Sequence, residues 1–136
     1  MRRVIFSYSY SFSGAPDLQN IERVCEFVEK AFLELGGDKM KTYRLQIIVD
    51  ECFSNICKYS KAAKVQVECH KSHGDIHVVF WDNGISFNPL EQAAPNLDKD
   101  VSKRKQGGLG IYLIKKYAKK IEYQYLDGKN CLDIVL

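Results

Sequence analysis

An α+β domain, its mixed and mainly antiparallel sheet covered by helices on one face, is predicted by the order of periodicities along this chain. Three observations carry the prediction. Apolar residues alternate with period two at the start and in two later pairs of segments; apolar stripes of helical period separate them; glycine-bearing turns punctuate the whole. The resulting order is β-α-α-β-β-loop-α-β-β. At 136 residues a single domain over residues 1–136 is expected, burying roughly two-thirds of the chain's surface.

The first strand is read from Val4, Phe6, Tyr8, Tyr10 and Phe12, which alternate with Ile5, Ser7, Ser9 and Ser11. Gly14-Ala15-Pro16 breaks it. Asp17 is placed to cap a helix over residues 17–35, whose Ile21, Val24, Cys25, Val28 and Phe32 share one face; Gly36-Gly37 ends it. A second helix is expected over residues 38–59 with the stripe Leu45, Ile48, Val49, Cys52, Phe53 and Ile56. At ~100° per residue, Glu51, Asn55 and Lys58 fall together on one flank of that stripe. Val65, Val67 and Cys69 alternate, as do Ile76, Val78 and Phe80, and the turn at residues 71–75 between them makes a hairpin. Residues 90–106 show little periodicity, with one proline and many charges, and a loop of that length in a small domain is commonly functional. A third helix is expected over residues 108–120, with four lysines near its end, where positive charge suits the helix dipole. Two strands, 121–126 and 131–136, flank the turn at Asp127-Gly128.

Composition excludes several classes. No apolar run reaches the ~20 residues of a membrane helix, and the amino-terminal segment reads as a strand rather than a signal peptide, so a cytoplasmic protein without membrane attachment is expected. The net charge of +3 gives no argument for direct nucleic-acid binding. The five cysteines form no Cys-x-x-Cys pair and read as reduced core thiols.

Three segments carry chemistry. Glu51-x-x-x-Asn55 puts a carboxylate and an amide one helical turn apart: a solvated helix face, or a base beside a hard oxygen ligand suited to Mg²⁺. Asp82-Asn83-Gly84 follows an apolar strand: a turn, which is the reading it favours alone, or a buried acceptor for the exocyclic amine of adenine, with Gly84 keeping the wall clear. Gly107-Gly108-Leu109-Gly110 enters a helix: an ordinary turn, or a phosphate cradle of backbone N–H groups. It is neither a Walker loop nor a dinucleotide fingerprint. His70, His73 and His77, with Cys69, invite a zinc reading, but they surround a predicted hairpin turn and lack structural-site spacing.

In their order and separation, Glu51-x-x-x-Asn55, Asp82-x-Gly84-x-x-Phe87-x-Pro89 and Gly107-Gly108-Leu109-Gly110-Ile111-Tyr112-Leu113-Ile114 resemble the N, G1 and G2 boxes of the Bergerat-fold (GHKL) ATPases, a two-layer sandwich. Within that group the chain resembles the small anti-sigma-factor serine kinases of bacterial partner-switching systems over nearly its whole length. The resemblance implies ATP and Mg²⁺ as cofactors, Glu51 as general base and Asn55 as the Mg²⁺ ligand. It implies ATP-binding positions at Asn55, Lys58, Asp82, Gly84, Ile85, Phe87, Lys105, Gly107, Gly108, Leu109, Gly110 and Cys131, the last standing near a threonine usual in the family. Residues 90–106 correspond to an ATP lid, whose Lys103, Arg104 and Lys105 can offset phosphate charge. Tyr59-Ser60 departs from the family's usual His followed by Ala or Gly.

The function so implied is an ATP-dependent protein serine kinase that phosphorylates a STAS-domain antagonist (an anti-anti-sigma protein), sequesters a sigma factor or equivalent target, and forms a homodimer. The rival readings are a nucleotide-gated sequestering protein without phosphotransfer, a detached catalytic domain of a sensor histidine kinase, and a GHKL clamp ATPase. No helix pair bearing an acceptor histidine and no transducer segment favours the last two.

Overall fold

The structure, a computed structural model, describes residues 9–91 and 109–136. In chain order its regular elements are β1 (Ser9–Gly14), α1 (Ile21–Glu34), α2 (Thr42–Asn55), β2 (Val65–Ser72), β3 (Asp75–Asp82), α3 (Leu109–Tyr117), β4 (Lys120–Leu126) and β5 (Lys129–Val135). The expected element order is present. Residues 4–8 of the first predicted strand and residues 92–106 of the predicted loop lie outside the described part.

Two tight turns set the sheet's register. His73 and Gly74 join β2 to β3 with φ of 52° and 83°, and Asp127 and Gly128 join β4 to β5 with φ of 53° and 74°. Paired positive φ values give a turn whose twist matches that of the flanking strands. Val67 therefore faces Phe80, and Cys69 faces Val78. The five strands lie in the order β1-β2-β3-β5-β4, and every pairing among them is antiparallel. The parallel component of the expected mixed sheet does not occur among these strands. The chain leaves β3, passes through α3 to the far edge at β4, and turns back so that β5 fills the place beside β3.

Alternation then assigns the faces. Val65, Val67, Cys69, Ile76, Val78, Phe80, Leu132 and Ile134 meet one layer of helices, and the same core takes Val24, Val28 and Phe32 of α1, Ile48, Cys52 and Phe53 of α2, and Ile111 and Ile114 of α3. Phe53, Phe80, Ile48, Ile114 and Ile134 are the largest side chains almost wholly withdrawn from water. Each such burial stabilises by roughly 1.5–3 kcal/mol.

Helix ends follow their caps, with three shifts from expectation. Asp17 does cap, accepting from Gln19 N at 2.9 Å, but the first turn is 3₁₀ and α1 starts at Ile21. Its end is a Schellman turn: Gly37 N donates to Phe32 O at 2.8 Å and Gly36 N to Leu33 O at 3.0 Å, with Gly36 at φ 93°. The second predicted helix resolves into a 3₁₀ turn capped by Asp38, then α2, then a π turn over Ile56–Ser60 that stops where Lys61 turns left-handed at φ 54°. The third helix ends at Tyr117, earlier than expected, because Lys119 N donates to Val135 O at 2.8 Å and draws the chain into the sheet.

Candidate functional site

Asp82 closes β3, and strand parity turns it to the helical side with Phe80, Leu132 and Asn130. Cys52 and Asn55 of α2 face them, and Phe87 and Pro89 complete a small pocket.

The Asp82 carboxylate is 5% exposed and is held by one oxygen. Gly84 N and Asn130 Nδ2 both donate to Oδ1, each at 2.9 Å. Among the described residues no hydrogen bond reaches Oδ2, which leaves that oxygen to accept from a ligand. Asn130 is also buried and organises the turn above. Its Nδ2 donates to Ile85 O at 2.7 Å, and its Oδ1 accepts from Phe87 N at 2.9 Å and from the Tyr123 hydroxyl. The Tyr123 oxygen accepts from Phe87 N as well, at 3.2 Å. One amide thus ties β5, the end of β3 and the following turn into a single hydrogen-bonded unit.

The same turn is pressed onto the end of the π turn. Ile85 N donates to Ser60 O at 2.7 Å, and a Cβ on Gly84 would lie 2.1 Å from that oxygen. Gly84, expected to keep the pocket wall clear, owes its missing side chain to Ser60 instead. Ser60 is itself fixed: Oγ donates to Ile56 O at 2.9 Å and accepts from Ala62 N at 3.2 Å. Beside it the Tyr59 ring stacks on Phe87 with centroids 5.2 Å apart.

On the α2 side the chemistry is unfinished. Asn55 is 5% exposed, and among the described residues its Nδ2 has no hydrogen-bond partner. A buried amide left unpaired costs about 1–3 kcal/mol. A half-turn about its last torsion exchanges nitrogen and oxygen, so this corner can offer a donor or a hard oxygen ligand. Glu51, one turn earlier on α2, is half-buried.

The sequence profile of the histidine kinase-like ATPase domain matches residues 14–136. The chain belongs to that family. This ATPase domain is also similar to the serine/threonine-protein kinase BtrW of Bordetella bronchiseptica, at 23% identity over 96 residues, an alignment covering 68% of each chain. No described helix of the ATPase domain is long and apolar enough to cross a membrane.

The residues present fit what such a domain binds. A buried carboxylate with one uncommitted oxygen suits the exocyclic amine of a purine, and the orphaned Asn55 amide suits a polar or ionic group carried with it. Of the expected binding positions, the structure brings Asn55, Asp82 and Phe87 to one pocket. Gly84 and Ile85 lie in the turn beside it, with Ile85 53% exposed. Lys58 is exposed on the π turn. Leu109 and Gly110 form the start of α3. Lys105, Gly107 and Gly108, with Lys103 and Arg104, lie outside the described residues.

Cys131 is a correction. It pairs with Trp81, one step out of phase with the Asp82–Asn130 and Phe80–Leu132 pairs that line the pocket. Period-two alternation puts it on the opposite face. The residue that reaches the pocket from the last strand is its neighbour Asn130, which lines it and bonds Asp82 and which sequence reasoning missed. The available signal was parity, since Asn130 shares its phase with Leu132 and Ile134.

The histidines also take places that their spacing did not give. His70 and His77 face each other across β2 and β3 with rings stacked 4.7 Å apart. His70 Nδ1 lies 3.0 Å from Glu68 Oε1, and His77 Nδ1 lies 3.0 Å from Asp133 Oδ1. Burial, with His77 beside it, holds the His70 imidazole below its ordinary 6.5. Among the described residues, no three or more His, Cys, Asp or Glu side chains are grouped to hold a metal. All five cysteines are free thiols. Burial pushes Cys69 up to about 12 and Cys131 up to about 11, so both are protonated and unreactive at neutral pH.

Proposed function

We propose that this ATPase domain is an ATP-dependent protein serine kinase of the cytoplasm. In this reading it phosphorylates a STAS-domain antagonist, forms a homodimer and sequesters a sigma factor or an equivalent regulatory target. The observation that carries the nucleotide part is the meeting, across one pocket, of the uncommitted Asp82 Oδ2 and the unpartnered Asn55 amide. The likeness to a serine/threonine-protein kinase supports the transfer part.

Each residue then has a stated task. Asp82 accepts the hydrogen bond that distinguishes adenine, and Asn130 keeps its carboxylate turned to do so. Phe87 supplies an apolar wall, braced by Tyr59. Asn55 is placed to hold magnesium, which when bound neutralises phosphate charge. Glu51 takes the proton of the incoming serine hydroxyl. The remaining contribution is positioning, which α2 provides by carrying Glu51 and Asn55 on one rigid helix.

Incubating the purified chain with γ-labelled ATP, magnesium and a STAS-domain partner tests this. The expected result is label on a partner serine, reduced at least ~100-fold by Glu51→Gln, a typical loss on removing a general base. The variant's ATP affinity should stay within about threefold, because the base does not contact the purine. Nucleotide uptake with an unlabelled partner would make the protein a nucleotide-gated sequestering module instead.

A further inference from the structure

Two aromatic rings beside the Asp82 pocket are not accounted for by the core. Tyr59 and Phe87 stack with centroids 5.2 Å apart and planes inclined by 28°. Among the described residues, neither ring belongs to the apolar core or packs against it. Tyr59 stays 42% exposed, and among the described residues its hydroxyl makes no hydrogen bond. The stack is not what fastens the π turn to the segment after β3. That junction is already made one residue on, where Ile85 N donates to Ser60 O at 2.7 Å and Gly84 presses on the same carbonyl. Tyr59 and Phe87 are brought together by the junction.

Phe87 lines the pocket and Tyr59 does not. The Phe87 backbone is fixed, since its N–H donates to Asn130 Oδ1 at 2.9 Å and to the Tyr123 oxygen at 3.2 Å. Those bonds leave the side-chain torsions of Phe87 unset, and the ring stacked on it is Tyr59. We propose that Tyr59 is a positioning residue for the purine. It stands behind Phe87 and sets the plane of the ring against which the base lies, while Asp82 meets the base at its edge. The inference rests on the nucleotide reading and deepens it. A flat heteroaromatic ring is gripped by a polar atom in its plane and by an aromatic ring across its face. The second grip is strong when the aromatic ring is held in advance, because binding then freezes no further torsions. A π turn at the end of a helix is a frequent mark of such sites.

Calorimetry of the full chain with magnesium-ATP, on the parent, Tyr59→Leu and Tyr59→Phe, tests it. We expect Tyr59→Leu to weaken ATP about three- to tenfold, the weight of an aromatic pair. Tyr59→Phe keeps the ring and should stay within about twofold of the parent. Magnesium triphosphate carries the phosphates without a base, and should compete equally against all three proteins. Without nucleotide, both variants should melt within about 2 °C of the parent, because the side chain is exposed and outside the core. A purely structural role would instead lower the melting temperature and weaken both ligands alike. ATP affinity indifferent to Tyr59→Leu, a loss shared by Tyr59→Phe, or an equal loss for triphosphate would overturn the assignment. A parent that takes up no ATP would overturn the nucleotide reading itself, and this inference with it.

Discussion

The two walls of the Asp82 pocket are completed to different degrees. On the sheet side, Asn130 satisfies Asp82, Ile85 and Phe87 at once, and Tyr123 doubles the bond at Phe87 N. On the helix side, Asn55 is just as buried yet keeps an amide nitrogen with no partner. The difference separates structure from readiness. The sheet wall is stable because its polar groups answer one another, while the helix wall keeps a polar group that a ligand can answer.

That contrast can be broken first at Asn130. Asn130→Ala should cost on the order of 3 kcal/mol, because it leaves the Ile85 carbonyl unpaired and loosens Asp82. Chemical denaturation would register the loss, and adenine-nucleotide affinity should fall with it. A variant as stable as the parent would show that the bonds around Asn130 are not what shapes the turn.

Asn55 should behave in the opposite sense. Asn55→Leu removes an unsatisfied amide at nearly constant volume, so the unliganded protein should be unchanged or up to about 1 kcal/mol more stable. The melting-temperature rise produced by magnesium-ATP should disappear. Loss of stability of the size expected for Asn130→Ala would erase the distinction between the walls.

The smallest effect is expected outside the pocket, at His70. Its folded value lies below 6.5, so the unfolded chain binds the extra proton first. Stability should therefore fall as pH drops through 6.5 and below, and His70→Gln should flatten the slope of melting temperature against pH. Glu68, His77 and Asp133 face His70 on the same sheet surface; His77 adds to the shift, while the carboxylates of Glu68 and Asp133 oppose it and keep the expected slope shallow.

Much of this was legible in the sequence because it depends on local rules. The alternation in β2 and β3, the cap at Asp17, the glycines after Leu35 and the Asp127-Gly128 turn are each specified by residues within a few positions. The family motifs likewise pointed to Asn55 and Asp82, which the structure brings to one pocket. What escaped depends on distant partners. Asn130, two residues after a turn, looks like a turn residue until its pairing with Asp82 is known. Choosing Cys131 was a slip of one position, and in a strand that reverses the face. The π turn escaped for a similar reason: helical periodicity runs through Ile56, and only the docking of Ile85 and Gly84 on Ser60 fixes where the helix is remade.

The sheet order has a consequence for biogenesis. Its last strand in chain order is interior, flanked by β3 on one side and β4 on the other, so a nascent chain cannot complete the sheet until that strand has left the ribosome. The Asp82–Asn130 junction bridges residues 48 positions apart. A chain interrupted before β5 would lack the amide that holds the Asp82 carboxylate and the turn above it, so this end of the pocket takes shape only once β5 has paired.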